Sequence, residues 1–178
     1  MPAEADDVRL RPVTESDLTV LEGLDTDRAL SEPFEWRGFA NPGARRERWE
    51  RDGYLGARDS LLVVSLPDDT FAGIVNWRAI ASSGPPGVFE IGILLLPEHR
   101  GKGYGTRAQQ LLADYLFATT PANRIEATTE IDNLAEHRAL ENAGFVREGV
   151  LRGRGFVRGQ WQDGLMYSRL RDDPPSAS

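Results

Sequence analysis

Val8–Pro12 alternates apolar and polar side chains, a period of two that predicts a first strand. Thr14 follows as a helix cap with Asp17 three positions on, and Leu18, Leu21 and Leu24 then recur at helical spacing. Ser31–Pro42 breaks both periods: Pro33, Phe34, Trp36, Phe39 and Pro42 read as a proline-rich, aromatic loop. Arg45–Arg58 returns to a helical pattern with Trp49 as its apolar anchor. Leu61–Leu66 and Phe71–Trp77 are strand-like runs joined by Pro67-Asp68-Asp69, which together predict a hairpin. Ser82–Gly87 is turn-forming, and Val88–Leu96 is a strand whose nearly continuous apolar end predicts burial.

A glycine cluster, Arg100–Gly105, precedes a helix marked by Ala108, Leu111, Leu112, Tyr115 and Leu116. Arg124–Thr129 is the next strand, and Asn133–Asn142 a helix stopped by Gly144. Phe145–Leu151 and Trp161–Leu170 are the last strands, before the polar tail Asp172–Ser178. Without a repeat or a linker, this order predicts one α/β domain with a mixed sheet over residues 1–172 and a tail over 173–178.

Composition adds exclusions. The 178 residues, 40% hydrophobic and 28% charged, suit one soluble globular domain and argue against disorder. The longest clean apolar run, Ile91–Leu96, is far too short to span a bilayer, and Met1–Asp7 has no secretory pattern, so a cytoplasmic location is expected. With no cysteine there is no disulfide, thiolate metal site or cysteine nucleophile. A net charge of −7 has the wrong sign for a general nucleic-acid binder, and no feature favours nucleic acid or membrane as a partner. The one lysine, Lys102, sits among glycines, unsuited to covalent catalysis. His99 and His137 have no ligand at metal spacing, so no metal is expected.

The strongest chemical signal is Gly101, Gly103 and Gly105 between a buried strand and an amphipathic helix. Backbone N–H groups there are uncovered at the positive end of the helix, and such a turn can hold a pyrophosphate. It can equally be just a tight turn. No Gly-Lys-Ser/Thr follows, which excludes a P-loop, and the spacing is not that of a dinucleotide fingerprint.

Arg100-Gly101-Lys102-Gly103-Tyr104-Gly105, preceded by Ile93-Leu94-Leu95-Leu96-Pro97, resembles the Arg/Gln-x-x-Gly-x-Gly/Ala signature of the GNAT superfamily of acyl-CoA-dependent N-acetyltransferases. Asn133–Phe145 resembles that family's Asn-x-x-Ser-x-x-x-Leu-Glu-Lys-x-Gly-Phe block, and Val8–Pro12 with Asp163–Leu170 resembles its ribosomal-protein (RimJ/RimL-type) branch. The resemblance implies the GNAT fold, a mostly antiparallel sheet splayed at the coenzyme site and flanked by helices. It implies acetyl-CoA as acyl donor, with its pyrophosphate on the amides of Gly101 through Gly105, Tyr104 among them, and with Arg100 and Lys102 adding charge at the rim. The pantetheine arm would pair with Ile93, Leu94 and Leu95 and touch Asn133, which also reads as a helix cap.

The family's chemistry implies direct attack of an amine on the thioester. Glu90, beside apolar neighbours on the strand leading to the turn, is the leading candidate base, and Glu130 could act through water. Two positions depart from the family: Glu136 stands for the serine, and Leu140 where many members carry a general-acid tyrosine. Tyr167 or solvent would then protonate the thiolate. The acceptor is expected to be a peptide N-terminus or a small-molecule amine. Phe34, Trp36 and Phe39 could line its cleft, form a lid or make a dimer contact, and a homodimer is compatible with the sequence. The alternative is a non-catalytic acyl-CoA sensor that keeps the glycine turn and Asn133 without a working base.

Overall fold

The computed structural model describes residues 5–31, 33–34, 36, 38–56, 59–80, 87–157 and 159–174. Its strands are β1 (Arg9–Arg11), β2 (Asp59–Ser65), β3 (Phe71–Ala79), β4 (Val88–Leu95), β5 (Arg124–Glu130), β6 (Val146–Val157) and β7 (Gln160–Leu170). They form one sheet in the order β1-β2-β3-β4-β5-β7-β6. Only β4 and β5 run parallel, so the sheet is mixed, as the sequence pattern predicts, and mostly antiparallel, as the family resemblance implies.

The helices are α1 (Leu18–Thr26), α2 (Arg28–Ser31), α3 (Gly43–Asp52), α4 (Tyr104–Thr119) and α5 (Leu134–Asn142). The unbroken apolar run of β2 explains how they are layered. Leu62 and Val64 point into a core shared with Ala108, Leu112 and Leu116 of α4 and Leu140 of α5. Leu61 and Val63 point the other way, into a core with Leu18, Leu21 and Leu24 of α1, and Trp49 of α3 packs on its edge. A strand buried on both faces needs no polar alternation.

Several boundaries move, for local reasons. Thr14 N–H and Oγ1 both donate to Asp17 Oδ2 at 2.8 Å, but the turn they close is a 3-10 turn over Glu15–Asp17, and α1 begins at Leu18. α3 starts at Gly43 and stops at Asp52, because Gly53 takes a left-handed conformation (φ 59°) and its N–H returns to Trp49 O. Of the predicted helix end and turn, residues 57–58 and 81–86 lie outside the described residues, as do 175–178 of the tail. β6 runs well past Leu151: the Arg152–Gly155 stretch lacks alternation, and the pairing with β7 carries two register shifts there and near Arg147.

What positions a site is the divergence of the two parallel strands. Val88 to Ile91 pair with Arg124 to Ala127, after which β4 continues along β3 while β5 continues along β7. Leu96 N–H donates to Ala72 O on the β3 side. By the alternation of an antiparallel ladder, the N–H and C=O groups of Ile93 and Leu95 therefore face the opening between β4 and β5.

The opposite side of β4 is packed without slack. Gly73 of β3 lies opposite Leu95, and a Cβ there would overlap the Leu94 carbonyl oxygen and lie 2.9 Å from Leu95 Cα. These are backbone atoms, so Gly73→Ala is expected to lower stability by about 2–4 kcal/mol. Chemical denaturation would measure it, and a loss below about 0.5 kcal/mol would show that β3 and β4 separate freely.

Candidate active site

Two clefts meet at the divergence. The first, about 540 Å³, lies between the N-terminal ends of α4 and α5 and is floored by Ile93, Leu94 and Leu95. The second, about 560 Å³, lies on the α1–α3 side of the sheet and reaches Glu90, Gly92 and Thr128. Ser31, Ile93 and Leu94 belong to both walls, so β4 is exposed to each cleft at the same place.

In the first cleft the glycine turn has the backbone its sequence suggests. Gly101 and Gly103 adopt φ of 73° and 81°, values that side-chain-bearing residues rarely take. Gly103 caps α4 with no side-chain hydrogen bond to its first N–H groups, which leaves main-chain donors at the positive helix end. Gly101, Gly103 and Gly105 line the cleft with Arg100 and Asn133. Asn133 is also the cap of α5, its Oδ1 accepting from Glu136 N–H at 3.3 Å, so its two readings coexist.

Arg100 reaches inward as well as over the cleft. Its Nε donates to Leu95 O at 2.9 Å and its Nη2 to Leu30 O at 3.1 Å, which ties α2 to the end of β4. Desolvation draws its pKa below the ordinary arginine value, with Glu98 acting in the opposite direction. Two residues of the expected set do not present side chains here. Tyr104 is only 2% exposed, packed in the core under α4, which leaves only its backbone N–H for a ligand. Lys102 is exposed and lines neither cleft.

The second cleft is walled by Trp36 and floored by the α1–α3 face of β3 and β4; the Trp77 ring lies on the other face, 5.8 Å from that of Tyr115 of α4. Trp36 meets Phe39 edge to face, with centroids 5.3 Å apart. Phe34 lies instead in the first cleft, so the aromatic loop divides between the two. Glu90 points into the second cleft and is largely buried. Its Oε2 accepts from Arg78 Nε at 2.6 Å and from Arg78 Nη2; its Oε1 accepts from Thr128 Oγ1 and Arg154 Nη2, each at 3.3 Å.

The other two candidate proton carriers are not brought there. Glu130 closes β5 half-buried and lines neither cleft; its carbonyl oxygen accepts from Asn133 N–H at 3.1 Å and contacts His137 Nε2 at 2.9 Å. Tyr167 is 1% exposed in the core beneath α5 and donates to Glu141 Oε1 at 3.2 Å. Burial and the Glu141 carboxylate raise its pKa. Its position on β7 fixes it on the helix-covered face, which corrects its expected role as the acid facing the thioester. Leu140, in place of the family's tyrosine, is likewise fully buried.

Other lining residues carried no motif. Arg138 and Thr106 complete the first cleft; Arg138 had no signal beyond the helix that Asn133 opens. Asp25, Arg45, Arg48 and Asp59 enter the second cleft as ion pairs, Arg45 Nε to Asp25 Oδ2 at 2.7 Å and Arg48 Nη1 to Asp59 Oδ2 at 2.8 Å. Among the described residues no cluster of three or more acidic or histidine side chains could hold a metal ion, and no helix is long and apolar enough to cross a membrane.

Residues 7–146 match the family model described as an acetyltransferase (GNAT) domain. The probable N-acetyltransferase YjcK of Bacillus subtilis is 35% identical over 111 residues, 62% of this chain and 61% of its own length. The spermidine N(1)-acetyltransferase of Escherichia coli K12 is 27% identical over 170 residues, 93% of this chain and 86% of that protein. The crystal structure of spermidine N-acetyltransferase from Vibrio cholerae in complex with CoA and spermine shares the fold. It superposes with a TM-score of 0.79 at 22% identity, covering 94% of this chain and 98% of that one.

Proposed function

The chain belongs to the GNAT acetyltransferase family, and from that premise we propose that it transfers the acetyl group of acetyl-CoA to a small primary amine. The observation that carries the proposal is the meeting of two clefts at Ile93 and Leu94, where β4 leaves β5. One cleft offers main-chain donors for an anionic coenzyme, the other a carboxylate and the Trp36 ring for an amine. A sensor that only bound acyl-CoA would have no need of the second.

In this reading the N–H groups at the start of α4 receive the pyrophosphate, and Arg100 and Arg138 add charge at its rim. Ile93 and Leu95 hydrogen-bond the peptide-like pantetheine arm through the groups that face the opening, and an N–H of that stretch polarises the thioester carbonyl. The amine nitrogen attacks the carbonyl carbon from the second cleft, the C–S bond breaks, and the sulfur leaves as a thiolate. Glu90 takes the amine proton, giving up one of its existing hydrogen bonds to do so. With Tyr167 turned into the core and Leu140 in the tyrosine's place, the thiolate is protonated by solvent.

Spermidine is the substrate named for two of these relatives, which supports a small amine ahead of a ribosomal-protein N-terminus as the acceptor class. The test is thiol release from acetyl-CoA in the presence of a panel of small amines and N-terminal peptides. Release that depends on a small amine supports the proposal; coenzyme binding with no amine-dependent release supports the sensor.

A further inference from the structure

We infer that the acceptor is an amine that also carries a carboxylate, rather than a polycation; the inference rests on the acetyl-transfer reading of the same clefts. Among the described residues lining the second cleft, every carboxylate already has a guanidinium partner. Asp25 is held by Arg45 and Asp59 by Arg48. Glu90 is shared between two, Arg78 and Arg154, so among the described residues two guanidiniums meet one carboxylate there. A polyamine would need carboxylates to replace its hydration, and each of these already has its charge balanced by a guanidinium.

The guanidinium side, by contrast, is open. The Arg78 side chain is 62% exposed and that of Arg154 45%, against 13% for Glu90 between them. Arg78 uses Nε and Nη2 on Glu90, and its Nη1 has no partner among the described residues. An arginine fork with a free edge beside a cleft is suited to bind a carboxylate.

Distance narrows the acceptor further. Arg78 lies opposite Glu90 in the ladder, and Glu90 is two residues before Gly92 on the same face of β4. Two strand residues span about 7 Å. An amine reacting beside Gly92 and Ile93 would thus place a carboxylate at Arg78 if about two extended residues separated the two groups, as in a dipeptide. Trp36 would receive its apolar side chain.

The test compares kcat/KM for phenylalanylglycine, phenylalanylglycinamide and spermidine. The free acid is expected to exceed its amide by about tenfold or more, and spermidine to fall below both. Arg78→Gln should shrink the acid-to-amide ratio to about twofold or less, with part of the ratio restored in Arg78→Lys. The ratio is internal to each variant, so it is insensitive to a common loss of turnover. An amide or spermidine used as well as the acid would overturn the inference while leaving acetyl transfer in place, as would a ratio unmoved by Arg78→Gln. Absence of turnover with every amine would overturn the functional reading and this inference with it.

Discussion

Replacing Gly103 by valine is expected to weaken acetyl-CoA binding by about a hundredfold or more. The residue caps α4 with φ at 81°, and a Cβ there would come within 3.1 Å of Ala5 Cβ. Relief of that contact and of the left-handed strain would rotate the peptide planes that aim the first N–H groups of α4 into the cleft. A hydrogen bond to a charged phosphate contributes about 1.5–3 kcal/mol, so misdirecting two of them accounts for the loss. The strain itself costs about 1–2 kcal/mol of stability, small enough for circular dichroism to report a folded chain. Gly53→Val serves as the control: it imposes similar strain (φ 59°) at the end of α3, away from the coenzyme cleft, and should leave coenzyme affinity intact. Titration calorimetry with acetyl-CoA measures both. Equal affinities for Gly103→Val and the unaltered chain would remove the glycine turn from the coenzyme site.

Glu90→Gln is expected to lower kcat by roughly 10²–10⁴-fold, with little change in coenzyme affinity. The amide keeps an oxygen for Thr128 and Arg154 but can no longer take a proton from the amine. Because Glu90 also anchors Arg78 and Arg154, a fall in rate alone does not separate base from anchor. The split between kcat and KM does. Loss of the base lowers kcat at saturating amine, whereas loss of an anchor raises the amine's KM. Turnover close to that of the unaltered chain across about pH 6 to 9 would assign the proton to solvent or to an amine that arrives neutral.

How much of this was legible depended on how local each signal is. The glycine turn and the Asn133 helix cap are encoded within a few residues, and both stand where the spacing put them. The divergence of β4 from β5 was foreseen only through the family resemblance, since a strand's sequence does not say where its neighbour leaves it. Side-chain direction was the main error. Tyr167 looked like the acid facing the thioester, but packing turns its ring into the core. The long β6 was cut short because Arg152–Gly155 offers no alternation, although β7 supplies the pairing that sustains it. The charge balance of the second cleft was hidden for a related reason. Asp25 meets Arg45, and Glu90 meets Arg78 and Arg154, only through helix packing and sheet register.

The central claim is that acetyl passes from the coenzyme cleft to an amine in the second cleft, and mass spectrometry of the acceptor tests it most directly. The chain is incubated with acetyl-CoA carrying a labelled acetyl group and an amine panel that includes an aromatic dipeptide and spermidine. The account predicts a labelled N-acetyl product that appears in step with free coenzyme thiol and falls away in Glu90→Gln. Tight acetyl-CoA binding with no labelled amine in any reaction would contradict it and leave a coenzyme-binding protein without transfer activity.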